Sequence, residues 1–375
     1  MKTDKFLLNS TAPKVASITL EPFQKNTTLW QTYQAKKADM PMLFPTEGAK
    51  LLGVSEFELL LSSPNSVYLG SDCRPMLLRL HELGQVENIV RNEFAVHEKT
   101  GQFLGLELGQ TMGMALNQGG LDLRVFLNHF KFMLAIVATD DKPSYQIAFF
   151  DEFGQAVDKV FLNPITDEKI TLWQTLTADF AKTVQKTSIE VLYPEIQGNW
   201  QVKHLDENQK ADFHHDWLAM TDIHQFYKIL STYQLDRQSS YVNAPSNYTK
   251  RLNPKVLESL LSRASEQALP LMIFVGNTGM VQIYAGTIKN IKKIGHWLNI
   301  MDKKYSQFTL HLNDKMIESV WWIRRPHSDG YTIALEGFDK HGNSIITIFG
   351  ERTEGQKQDP NWQVFAEALA AEFAY

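Results

Sequence analysis

A chain of 375 residues, 43% hydrophobic and 21% charged, has the composition of a folded, water-soluble protein with core enough for two domains or one large body of two similar halves. A net charge of −5 argues against a general affinity for nucleic-acid backbones. The single cysteine, Cys73, excludes an internal disulfide framework, a thiolate zinc cage and a multi-cysteine iron–sulfur cluster held by this chain alone.

The opening MKTDKFLLNSTAPK is polar, and residues 1–26 read as a leader rather than a secretory signal. Helical spacing of apolar positions covers Leu29 to Lys37 and Gly48 to Leu61. Ser71 and Asp72 cap a helix expected from Pro75 to Leu83, in front of which Cys73 reads as a buried small hydrophobe. From Val86 to Leu162 the texture becomes short β-rich runs broken by Gly, Asn and Asp, which predicts an antiparallel meander. Thr166 and Asp167 open a helix through Val184, and residues 189–209, with little periodicity, read as a linker. The same order of textures then returns. Helical patterns run from Lys210 to Leu230 and from Asn253-Pro254 to Glu266, strands from Leu269 to Gly350, and a last helix starts at Asp359-Pro360. The longest apolar runs, FMLAIVA from Phe132 and LPLMIFV from Leu269, fall far below the ~20 residues of a spanning helix, so membrane insertion is not expected and a cytoplasmic setting is.

Residues repeat as well as textures. IAFFDEFGQAVDKVF and IALEGFDKHGNSIITIF align with Asp151 opposite Asp339 and Gly154 opposite Gly342, both pairs 188 positions apart. VRNEFAVHEKTG from Val90 aligns with VGNTGMVQIYAG from Val275, and LDLRVFL with FTLHLND, which sets Arg124 opposite His311. The expected fold is therefore α+β: two tandem copies, 27–188 and 210–375, of a module in which helices precede a large antiparallel β-meander. Such a duplication either creates a ligand cleft between the halves or records shared ancestry with no shared site.

No HExxH, paired CxxC, EF-hand, GxxxxGK[ST] or GxGxxG spacing occurs. The eleven histidines are scattered, but FHHDWLAMTDIHQFYKIL, from Phe213 to Leu230, concentrates His214, His215 and His224 among aromatic and aliphatic side chains. This stretch is either a partly buried helix with surface histidines or a place where one imidazole enters an apolar slot and coordinates iron beside a flat macrocycle.

TDIHQFYKIL resembles the TDVHQFF-type segment of the HemS/ChuS/PhuS family of cytoplasmic haem-utilisation proteins. RNEFAVHEKTG, LDLRVFLN, IFVGNTGMVQIYAG, WLNI, FTLHL, RRPHSDGY and GERTEG resemble further motifs of that family, in family order, between about Trp30 and Trp362. The resemblance implies a haem cleft between the halves, with His224 as axial iron ligand and Arg124, the arginine of LDLR, approaching the other face; these two are the candidate catalytic residues. It also implies that Arg237, Arg324, Arg325 and Arg352 serve the two propionates, a task suited to the planar guanidinium fork. Two or three of these four are expected at the ligand. Phe349 replaces a common family tyrosine, keeping an aromatic wall without its phenol, and Glu351 replaces a glutamine. His97 matches the histidine of the first copy's AVHE segment and, like His311, reads as a packed strand residue rather than a second haem ligand. The activity implied is degradation of imported haem with an external electron donor, or, alternatively, non-catalytic delivery of haem to a separate haem oxygenase. Expected partners are haem, a reductase or haem oxygenase, and an inner-membrane haem importer.

Overall fold

The computed structural model describes residues 16–117, 119–138, 143–185, 188–222, 225–352 and 357–375. In the first copy, β1 (Ser17–Leu20) is followed by three helices, α1 (Thr27–Asp39), α2 (Pro45–Leu52) and α3 (Glu56–Leu61). The single helix expected over Gly48 to Leu61 is two, because Gly53 is left-handed at φ 69° and Ser55 opens a new helix with a capping box to Glu58. There follow β2 (Ser66–Gly70), α4 (Cys73–Arg79), β3 (Val86–Arg91), β4 (Ala95–Gly101), β5 (Leu106–Leu108), β6 (Met112–Ala115), β7 (Asp122–Phe126), β8 (Phe132–Ala138), β9 (Ser144–Phe150), β10 (Ala156–Leu162) and α5 (Asp167–Ala181). Cys73 packs in the core, where burial raises its thiol pKa.

The expected linker contains β11 (Ile189–Leu192), which pairs with β1 of the expected leader in a two-stranded sheet. In the second copy the helical run expected over Lys210 to Leu230 divides into α6 (Glu207–Leu218) and α7 (Gln225–Tyr233), and α8 (Arg237–Val242) follows. Then come β12 (Thr249–Leu252), α9 (Val256–Glu266), β13 (Leu271–Gly276), β14 (Met280–Gly286), β15 (Ile291–Ile294), β16 (Trp297–Met301), α10 (Lys303–Ser306), β17 (Phe308–Leu312), β18 (Ser319–His327), β19 (Gly330–Phe338), β20 (Ser344–Gly350) and α11 (Pro360–Phe373). The Asp359 carboxylate caps the last helix, and Pro360 occupies its first turn.

Two nine-stranded antiparallel sheets carry the molecule, and neither belongs to one copy. The first sheet runs β15-β16-β17-β4-β3-β10-β9-β8-β2, and the second β12-β18-β19-β20-β13-β14-β7-β6-β5. Strands β5–β7 of the first copy thus extend the second copy's sheet, and β15–β17 make the reciprocal extension. Their apolar side chains nevertheless stay at home. Leu121, Leu123 and Val125 pack in the first copy's core, whereas Phe308, Leu310 and Leu312 pack in the second's. Segments 27–188 and 210–375 are therefore interlocked rather than separate bodies. The alternation of a strand tells which side is buried but not which neighbour supplies its hydrogen bonds.

The strand registers confirm the internal alignment. Arg124 lies opposite Val281 as His311 lies opposite Val96, so these two residues occupy equivalent places. Asn92 donates to the carbonyls of Gly276 and Ile345, and Asn277 donates to those of Arg91 and Val157. Asp151 and Asp339 each accept two backbone N–H bonds across a turn that contains left-handed Gly154 or Gly342.

Candidate functional site

Directly opposed residues of an antiparallel ladder share a face. The registers of the second sheet place His327, Arg325, Ile323 and Trp321 of β18 on one face with Thr332, Ala334 and Glu336 of β19. That face continues through Thr347 and Phe349 of β20, Met272 and Phe274 of β13, Val281 and Ile283 of β14, and Arg124 of β7. Helices α6–α8 cover its β18–β19 end, where Phe213, Trp217, Phe226 and Tyr241 pack on Trp321, Ile323 and Phe338. Toward β7 the face opens: Phe349, Phe274, Met272 and Val281 are half-buried, and Met112 and Met114 are exposed. The result is an apolar, aromatic shelf beside the first turn of α7, with Phe349 edge-on to Phe274 at 5.1 Å between ring centroids.

A buried charged cluster forms the wall of this shelf. Glu336, fully buried, accepts hydrogen bonds from Arg237 Nη2 at 2.7 Å, the Tyr241 hydroxyl at 2.5 Å and Ser344 Oγ at 2.8 Å. Arg325 donates to the Tyr241 oxygen at 2.6 Å, lies 4.0 Å from the carboxylate and stacks over the Phe226 ring. Burial opposes the charge on Glu336, but Arg237 and then Arg325 hold its pKa below the usual carboxylate value. Burial likewise opposes the charge on Arg237, and Glu336 more than reverses the effect. One carboxylate between two guanidiniums leaves one positive charge over. The Nε donors of Arg237 and Arg325 are buried with no partner among the described residues, which is costly unless an anion is drawn to the wall.

Of the arginines expected at the ligand, Arg237 and Arg325 meet in this cluster. Arg352, just beyond β20, donates to Thr332 Oγ1 at 3.3 Å next to Arg325. Arg324 does not join them: successive strand residues face opposite ways, and Arg324 lies on the reverse side, paired with Glu367 at 2.5 Å and stacked on Trp322 and Tyr331. Arg124 shares the shelf but stands three strands beyond Phe349, about 14 Å across the sheet. Asp122 holds its guanidinium at 2.5 Å. His224 lies outside the described residues; α7 begins at the next residue, Gln225.

The other histidines are placed elsewhere. His97 is fully buried between the sheets, where desolvation lowers its pKa to about 3. His311 meets Asn299 at 2.6 Å. His214 bonds the Asn243 carbonyl at 2.9 Å, and His215 is exposed on α6. Sequence reasoning missed Glu336, Tyr241, Asp122 and His327. Glu336 carried a signal, since an acid inside the apolar run TIALEGF needs a buried cationic partner.

The family model described as the haemin-degrading HemS/ChuX domain matches twice, over residues 53–180 and 234–369. The chain belongs to this family. It is 34% identical over 341 residues to the hemin transport protein HemS of Yersinia enterocolitica, covering 90% of this chain and 95% of that protein. Its fold matches the holo form of PhuS, a heme-binding protein from Pseudomonas aeruginosa, with a TM-score of 0.83 at 31% identity over 92% of this chain and 99% of PhuS. The heme-degrading enzyme ChuS of Escherichia coli O157:H7 matches with a TM-score of 0.80 at 30% identity, over 93% and 99% of the two chains. Both family segments end up in the interlocked sheets, and the arginine-lined shelf lies on the sheet that the second segment dominates.

Proposed function

We propose that this chain binds haem on the shelf beside α7, in the cytoplasm, and serves iron acquisition by degrading haem or supporting its degradation. The observation that carries this reading is the juxtaposition of an open apolar, aromatic face with a buried cluster of one net positive charge. A flat apolar macrocycle with carboxylates at one edge meets both needs, and the names of the relatives point to the same ligand. Phe349, Phe274 and Met272 would pack on the ring, and Arg237, Arg325 and Arg352 would meet its carboxylates. His224, beside the first residue of α7, is the proposed axial ligand, and its imidazole must be neutral to donate a lone pair. When bound, the iron supplies the redox chemistry, with electrons from an external donor such as a reductase. The chain's own residues hold the ring, shield it from water and keep the Arg124 guanidinium, oriented by Asp122, as a fixed hydrogen-bond donor on the shelf.

Haem added to the purified protein should give a shifted Soret band that His224→Ala weakens or alters; an unchanged spectrum and affinity in the variant would remove His224 as ligand. With a reductase, and catalase to remove stray peroxide, the band should bleach as a discrete linear tetrapyrrole forms. Intact haem under those conditions would leave binding standing and make the protein a carrier.

A further inference from the structure

His327 ends β18 on the same sheet face as Arg325, two residues away. The turn that follows it is tied to the segment leading toward α7 by the Ser328 N–H bond to the Thr221 carbonyl, 2.9 Å. The backbone N–H of Asp329 donates to His327 Nδ1 at 3.1 Å. Nδ1 is therefore an acceptor, and the ring proton sits on Nε2. That Nε2 is buried and has no hydrogen-bond partner among the described residues, in a residue only 8% exposed. Burial, and after it the charge of Arg352, lowers the pKa of the ring, while Asp329 and Asp222 act in the opposite direction with less effect. The imidazole is thus a neutral, pre-oriented donor near Arg352 and Arg325.

We infer that the Nε2–H of His327 is a further ligand-binding group of the shelf, donating to a carboxylate of the bound macrocycle alongside Arg325 and Arg352. The inference rests on the haem-binding reading and extends it to a residue not among the arginines expected for that role. An unpartnered buried donor is costly to keep, and a ligand oxygen would satisfy it. A neutral donor is also the group that fits there: it adds a hydrogen bond without adding a third positive charge beside two guanidiniums. The imidazole ring is rigid and held at Nδ1, so little side-chain freedom is lost on binding.

Metal-free protoporphyrin IX tests this without involving the iron ligand, and its dimethyl ester lacks the carboxylates. Binding of each to the full chain is followed by quenching of tryptophan fluorescence. His327→Leu should weaken binding of the free acid about tenfold, the worth of one buried hydrogen bond to a charged acceptor, and leave the ester unchanged. His327→Gln, which keeps an N–H donor, should recover most of the loss. In a ¹⁵N-labelled protein the His327 Nε2–H resonance should shift with the acid and not with the ester. Equal loss for acid and ester would make His327 a structural residue and overturn the inference, as would no loss for either. If the unaltered protein bound neither porphyrin nor haem, the functional reading would fail first and take this inference with it; haem bound normally with His327→Leu silent would defeat the inference alone.

Discussion

At the residue scale, the candidate site is organised by charges that sit where alternation predicts apolar side chains. Glu336 is the clearest case, and its two guanidiniums and one phenol explain how a carboxylate is retained in the core. Asp158 is a contrasting case. It is fully buried near Asn88 with no cation beside it among the described residues, and desolvation raises its pKa to about 7 from the usual 3.8. The folded state thus holds a proton that the unfolded state releases between about pH 4 and pH 7. Because the unfolded state binds fewer protons there, stability falls as pH rises through that window and levels off above it. Asp158→Asn should remove this dependence and stabilise the protein at pH 8 by on the order of 2–4 kcal/mol, with little change at pH 4. Urea midpoints at the two pH values check this; an equal midpoint shift at both would mean that Asp158 does not titrate on folding.

At the element scale, the caps at Thr166 and Asp359 and the order of textures were legible in the sequence, as was the equivalence of Arg124 with His311, whereas the helix expected from Asn253-Pro254 begins only at Val256, after Lys255. The reason is local: caps, turn glycines and period-2 burial are properties of neighbouring residues. What was not legible depends on distant partners. The exchange of β5–β7 and β15–β17 between sheets is invisible to alternation, and so was the pairing of β1 with β11. The position of Arg324 was readable in principle, since adjacent strand residues cannot share a face, but the family motif treats the two arginines of RRPH together. The exchange is pinned by Asn92 and Asn277. Each donates two hydrogen bonds to carbonyls of the other copy and accepts two from its own turn, Asn92 from Phe94 and Ala95 and Asn277 from Gly279 and Met280. Asn92→Ala and Asn277→Ala should each cost about 2–3 kcal/mol in chemical denaturation, by similar amounts because their surroundings are equivalent. A loss below about 0.5 kcal/mol for either would show that the junction is held by the strand ladders alone.

At the scale of the whole molecule, duplication raises the question of whether two equivalent shelves bind two ligands. The registers allow a residue-by-residue comparison. On the first sheet the place of Ile283 is taken by Glu98, that of Met272 by Glu87, that of Gly276 by Arg91 and that of Thr347 by Lys159. These charges are largely satisfied internally: Glu87 pairs with Lys303, Arg91 with Glu47, and Lys159 with Glu56. Glu98 is pushed up to about 7 by burial and then by the neighbouring Glu87. The counterpart of Glu336 is Ala148, so no arginine cluster is anchored there. Phe161 alone preserves the aromatic place of Phe349. A flat apolar ring laid on this face would strip water from paired charges without replacing their contacts, a cost of several kcal/mol. If the proposed shelf binds haem, the two copies have diverged into one binding face and one structural face, and haem titration should end at one equivalent per chain. His311→Ala, on the structural face, should leave both the endpoint and the Soret band unchanged, whereas His224→Ala should alter the single site. A second, equally tight equivalent, or an endpoint lowered by His311→Ala, would show that the first copy has kept a ligand of its own.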